Sequence, residues 1–184
     1  MWKKKWNPKE KDSAENSNQT LPNPEKAREK TMHRAVKLLA AKPRSVVELR
    51  ERLLEKSWTN AEIVNEILDR LKEYGYLNDA QFAHDLAVSK IRQKPQGKRR
   101  LQQTLSRKHI DKEVADKALE QVFEEHSESE LVERALLKRI RLRGKPETRE
   151  ETKKLFDYLL RQGFQYDLIR EQIQQISKIE IEPE

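Results

Sequence analysis

The chain has no cysteine, which removes disulfides, thiolate zinc sites and cysteine nucleophiles, and fits a reducing, cytoplasmic setting. Glycine is nearly as scarce, at four residues. None forms a Gly-x4-Gly-Lys-Ser/Thr loop, a Gly-x-Gly-x-x-Gly turn or a Gly-x-Ser-x-Gly elbow, so the usual signatures of ATPases, dinucleotide binders and serine hydrolases are missing. No apolar run approaches 18 residues, and the start MWKKKWNPKEKD lacks the apolar stretch of a secretory signal. Neither a membrane span nor an export leader is therefore expected. The histidines, His33, His84, His109 and His126, are scattered without a metal-ligand spacing. Carboxylates abound, but they alternate with Lys and Arg in the most soluble stretches, away from the apolar surroundings that tune a catalytic acid. The expectation is a chain with no catalytic residue, no metal and no cofactor.

What is present favours helix. Charged residues make up 39% of the chain, against about 25% in an average domain. Glu, Lys, Arg, Leu and Gln dominate, and these side chains lose little rotamer freedom in a helix. Ser45 with Glu48, Thr59 with Glu62, Asn78 with Gln81, Ser127 with Glu130 and Thr148 with Glu151 have the spacing of capping boxes. Gly75, Gly97, Gly144 and Gly163 fall at helix ends or connections. These signals predict about nine helices, over 32–41, 46–56, 60–74, 79–93, 98–108, 111–124, 128–143, 149–162 and 166–177. Residues 1–30, with Trp2, Lys3, Lys4, Lys5 and Trp6 at the tip and prolines at 8, 22 and 24, read as a flexible arm.

The helices repeat. Leu49, Leu53, Lys56 and Trp58 align with Leu101, Leu105, Lys108 and Ile110. After a one-residue slip, Ile63, Ile67, Leu68 and Leu71 align with Val114, Ala118, Leu119 and Val122. Leu155, Leu159 and Phe164 make a weaker third copy. A unit of about 50 residues occurring three times predicts an all-α, elongated array of three tandem three-helix modules. The expected bounds are 31–77, 78–126 and 127–179, with a tail at 180–184. The alternative is one compact nine-helix globule.

The charge is concentrated. Between Lys90 and Lys112 nine Lys or Arg residues meet a single acid, Asp111, while the whole chain is only +7. Such a block suits a polyanionic partner. Its candidate contacts are Lys94, Lys98, Arg99, Arg100, Arg107 and Lys108, joined by Arg139, Arg141 and Arg143 in a second cluster with Lys138 and Lys145. Cations near a helix C-terminus are favoured by the macrodipole, but Lys98, Arg99 and Arg100 stand at a predicted N-terminus, where each is unfavourable by about 0.3–1 kcal/mol. An anion docked there would use side chains and free backbone N–H groups together. The block holds no aromatic platform for base stacking, since Phe82 is predicted inside and Tyr74 and Tyr76 precede it. Backbone contact, or an acidic protein surface, is favoured over base readout.

The run YGYLNDAQFAHDLAVSKIRQKPQGKRRLQQTLSRKHID, Tyr74 to Asp111, resembles the RecX family of regulatory proteins. Gly75, Leu77, Asp79, Phe82 and Ala83 match one family segment, and Gly97, Arg99, Arg100, Leu101 and Leu105 match another. KPRSVVELRERLLEKSW in the first module and LLRQGFQYDLI in the third follow the same pattern. Three departures are visible: Asn78 where an acid is usual, His109 where the middle helix usually ends in Gly, and an added residue at Thr59 to Asn60. The resemblance implies a monomeric three-module protein in the groove of the RecA recombinase filament on DNA. There it would inhibit strand exchange, ATP hydrolysis and coprotease activity. Single- or double-stranded DNA would be met through its backbone, with an acidic face over 113–133, including Glu124, Glu125 and Glu130, toward the recombinase. The other reading is a general nucleic-acid-binding helical module, with residues 98–108 in a groove.

Overall fold

The computed structural model describes residues 23–178, with side chains to 175; the Trp and Lys tip, the arm through 22 and the tail at 180–184 lie outside the described residues. Among the described residues there are nine helices and no strand. Module one holds α1 (Pro24–Ala41), α2 (Val46–Leu54) and α3 (Ala61–Glu73). Module two holds α4 (Asp79–Gln93), α5 (Lys98–Ser106) and α6 (Lys112–Glu125), and module three holds α7 (Glu128–Arg143), α8 (Arg149–Arg161) and α9 (Tyr166–Lys178). No helix among the described residues is long and apolar enough to cross a membrane.

Helix α1 starts eight residues before the expected 32, so residues 24–30 belong to a helix and not to the arm. Its start signal is complete. The Asn23 side chain accepts from Lys26 N, Pro24 occupies the first helical position and Glu25 lies in the first turn. Pro24 reads as a breaker only when that cap is overlooked. Ala27, Thr31 and Ala35, four apart, form its buried stripe, and small residues there let α1 approach α3 closely. Thr31 Oγ1 donates to Ala27 O at 2.7 Å and is hydrogen-bonded to the Thr59 hydroxyl at 2.9 Å. Because Thr59 is used in this buried pair, the N-cap of α3 passes to Asn60, whose Oδ1 accepts from Ile63 N at 3.0 Å. The added residue at this turn thus gives one side chain to the core and the next to the cap.

The other caps vary. Asn78 accepts from Gln81 N, Thr148 and Glu151 form a full capping box, and Ser127 makes no side-chain cap bond. Two backbone N–H groups, of Glu147 and Thr148, donate to the Glu151 carboxylate and hold its pKa below the usual carboxylate range.

The chain divides into two compact units: residues up to Pro43 with Leu49–Leu77, and Arg44–Glu48 with Asn78 onward. In the first, Leu49, Leu53, Val64, Ile67 and Leu71 are buried. The second contains modules two and three around one apolar cluster of Leu101, Leu105, Leu119, Val122, Leu136, Leu159 and Ile169. Ala83 and Ala87 on α4, with Ala115 and Ala118 on α6, are buried small residues of this cluster where the two helices pack together. The repeat positions are the buried ones: Leu101, Leu105 and Ile110 correspond in burial to Leu155, Leu159 and Phe164.

Candidate polyanion interface

Helix α5 begins at Gly97, which has no side chain to cap the helix. Its first N–H groups are satisfied from module three. Gly97 N donates to Gln162 O at 3.0 Å, Arg99 N to Gly163 O at 3.3 Å, and Lys98 N to the Glu128 carboxylate at 3.0 Å. The expectation of free N–H groups awaiting an anion is corrected here, because Glu128 is already that anion. The last carbonyls of α8 complete the cap, so the negative end of α8 abuts the positive end of α5. Two glycines permit the crossing. A Cβ on Gly97 would lie 2.3 Å from Gly163 O, and one on Gly163, whose φ is +89°, would lie 2.4 Å from Arg100 N.

This geometry accounts for a cation at an apparently unfavourable end. Arg100 Nη1 donates to Arg161 O at 2.9 Å and to Gln162 Oε1 at 3.3 Å. The guanidinium therefore meets the C-terminal carbonyls of α8, where positive charge is favoured. Lys98 is half-buried beside it, and Arg99 is exposed.

Other basic residues divide in the same way. Lys108 Nζ forms a 2.6 Å ion pair with Glu48, a residue of the same unit. Lys94, at the end of α4, and Arg139 on α7 both address the Tyr158 ring, with Nζ at 5.7 Å and Cζ at 4.9 Å from its centroid. Tyr158 thus gathers one cation from each of two modules through cation–π attraction. Arg99, Gln103, Ser106 and Arg107 form an exposed stripe along α5 opposite Leu101 and Leu105. Beside its far end lies a groove of about 540 Å³, lined by Gln102, Gln103, Arg107, Ile110, Lys112 and Asp116 among others.

Helix α7 differs. Its buried side is Leu131, Val132, Ala135 and Leu136, and every residue from Arg141 to Lys145 is exposed. On its outer side Arg134, Leu137, Lys138 and Arg141 share one exposed stripe, with Leu137 47% exposed, while Leu142, in register with buried Leu131 and Ala135, is 68% exposed in the last turn. The sequence alone gives no sign that these two leucines lie outside the core, because the apolar positions of α7 run almost all the way round the helix. Nor does it indicate Tyr158, Glu128 or the pairing of Gly97 with Gly163; two isolated glycines beside helix ends are the only trace of it.

Of the aromatics, Phe82 is half-buried against the core, while Tyr74 and Tyr76 are 60% and 70% exposed in the first unit. Glu124 and Glu130 are exposed, and Glu125 Oε1 lies 3.7 Å from His84 Nε2. His109, in place of the family's glycine, adopts the left-handed conformation itself, with φ at 55°, so the turn is kept.

A helical-repeat protein with a divided basic surface is the class these features define. The family models of the RecX first, second and third three-helix domains match residues 32–71, 78–119 and 127–173. The chain belongs to the RecX family of regulatory proteins. It is 37% identical over 140 residues to the Regulatory protein RecX of Chlorobium limicola, covering 76% of this chain and 84% of that one. Against that of Prosthecochloris aestuarii it is 30% identical over 147 residues, covering 80% and 93%. Among solved structures, RecX from Lactobacillus salivarius superposes with a TM-score of 0.74 at 22% identity, over 83% of this chain and 98% of that one. A second regulatory protein RecX gives a TM-score of 0.68 at 27% identity, over 81% and 72%.

Proposed function

We propose that this protein binds the RecA recombinase filament on DNA and modulates it, mainly by inhibiting strand exchange, ATP hydrolysis and coprotease activity, in the cytoplasmic regulation of repair and recombination. The match of all three modules, in order, to the RecX three-helix domains carries this reading. DNA is met through its phosphates. Arg99 and Arg107 on the exposed face of α5, with Lys94 and Arg139 held at Tyr158, are the contacts that the chemistry favours. Lys98 borders them, while Arg100 and Lys108 support the face from within the fold. No aromatic shares the α5 stripe, which fits sequence-independent contact.

The test is ATP hydrolysis by the cognate recombinase on single-stranded DNA with increasing amounts of this protein. Inhibition below one molecule per recombinase protomer is expected. No inhibition by the folded protein, together with tight, steeply salt-dependent binding to bare DNA, would replace this reading by that of a general nucleic-acid-binding module.

A further inference from the structure

The groove beside α5 has a composition that phosphate contact alone does not call for. It lies between α5 and α6, and its floor is apolar, made by Ile110 and Ala115, each 6% exposed. Gln102, Gln103 and Ser106 of α5 line it together with Lys112 and Asp116 of α6, and Arg107 stands at the turn between the two helices. At about 540 Å³ it falls within the roughly 300–1,000 Å³ of small-ligand sites.

The ordinary account of a crevice between two helices is a solvated seam closed by its own charged side chains, and it fits poorly here. Lys112 and Asp116 are four apart on α6, the spacing of a helical ion pair, yet they form none: Asp116 Oδ1 instead accepts from Gln102 Nε2 at 3.0 Å. Arg107 and Lys112 are exposed and make no ion pair with any described residue, whereas Lys108 beside them is paired with Glu48. The result is an apolar floor, a wall of hydrogen-bonding groups in Gln103 and Ser106, and two free cations at one end.

We infer that this groove takes a nucleobase of single-stranded nucleic acid, with Arg107 and Lys112 on the phosphates that flank it. The inference rests on the reading under Proposed function and adds a base contact to the phosphate contacts given there. The chemistry selects the occupant. A nucleobase brings a flat apolar face for Ile110 and Ala115 and an edge of donors and acceptors for the Gln103 amide and the Ser106 hydroxyl, and every base within a strand lies between two phosphates. Charge is complementary, since the two cations at the end of the groove have no carboxylate of their own. Bases of a duplex are paired and stacked and do not turn into such a groove, so the ligand is a single strand. An amide and a hydroxyl each offer both donor and acceptor, so different bases are accepted, in keeping with sequence-independent binding.

The test uses the full chain, titrated across a salt series with a short single-stranded oligonucleotide and with its fully abasic counterpart, which keeps every phosphate and lacks every base. The parent is expected to bind the intact strand about tenfold more tightly, on the scale of one or two net hydrogen bonds, with the same salt slope for both strands. Gln103→Ala with Ser106→Ala removes the hydrogen-bonding wall at two exposed helix positions where alanine is the better helix former, so the fold is kept, as an unchanged thermal midpoint would show. This variant is expected to lower the preference to about threefold or less, with the salt slope unchanged. Arg99→Ala, outside the groove, is expected to lower the slope by about 0.7 and to keep the full preference. Equal binding of the two strands by the parent would overturn the groove assignment and leave the phosphate contacts standing. An undiminished preference in the Gln103 and Ser106 variant would overturn it too, since the bases would then be met elsewhere on the chain; if that variant also inhibited the recombinase less, the occupant of the groove would be a protein side chain. If the parent binds neither strand, the DNA contact under Proposed function fails and the groove with it, while inhibition of ATP hydrolysis tests the recombinase contact separately.

Discussion

Lys98, Arg99 and Arg100 open α5, and Lys138, Arg139, Arg141 and Arg143 close α7, but the two helix ends have opposite surroundings. The start of α5 is packed against module three. Its N–H groups are bonded to Gln162, Gly163 and Glu128, and one of its arginines is bonded to the end of α8. The end of α7 stands in solvent, with only Arg139 turned inward onto Tyr158. Similar charge density therefore has two settings, bonded between two modules at one end and exposed to solvent at the other. A count of cations along the chain cannot separate them, because the distinction lies in what module three brings to Gly97.

The sharpest way to break this contrast is to fill the crossing. Gly163→Ala places a Cβ 2.4 Å from Arg100 N on a residue with φ of +89°. A left-handed alanine costs about 1–2 kcal/mol and the overlap about 1–3 kcal/mol more, so a loss of about 3 kcal/mol in unfolding free energy is expected. Gly97→Ala should behave similarly, since its Cβ would meet backbone and not a flexible side chain. Gly144→Ala on the α7 side meets nothing within 4 Å and shares only the positive φ, of +82°, so its cost should stay near about 1 kcal/mol. Chemical denaturation of the three variants checks the order. Equal losses at Gly163 and Gly144 would show that the modules do not depend on the crossing.

A smaller effect separates the arginines. Arg100→Ala removes two hydrogen bonds from a charged donor to the α8 terminus, and because the site is partly exposed the expected cost is about 1–2 kcal/mol. Arg141→Ala removes an exposed side chain from a solvated turn and should change stability by no more than about 0.5 kcal/mol. The same denaturation measurement decides it. A stability loss at Arg141 as large as that at Arg100 would mean that the end of α7 is also held within the fold.

These contrasts mark what was legible in the sequence. The repeated Leu49 and Leu53, Leu101 and Leu105, and Leu155 and Leu159 announced three copies of one buried turn, because helical spacing and burial are local properties. Asn78 and Thr148 announced their helices by short-range hydrogen bonds. The start of α1 was written just as locally in Asn23, Pro24 and Glu25. The candidate surface was legible only in its total charge. Whether Arg100 faces a phosphate or Arg161 O depends on contacts 61 residues apart, and Leu142 looks like core until α7 outruns the helices packed on it.

The smallest expected effect lies at the other end of α5. His109 holds φ at 55° where the equivalent Gly163 of module three holds 89°, so the same turn is built once with strain and once without. Left-handed backbone costs a side-chain-bearing residue about 1–2 kcal/mol, and glycine returns part of that through greater freedom in the unfolded chain, about 0.5–1 kcal/mol. His109→Gly should therefore stabilise the second unit by about 0.5 kcal/mol, read as a small rise in denaturation midpoint with an unchanged slope. The side chain is exposed beside Arg107, on the face assigned to phosphate. DNA binding by the variant should stay within about twofold at neutral pH if the imidazole is only a substitute for glycine in the turn. A loss of affinity larger than that would instead make His109 a further contact of the α5 stripe.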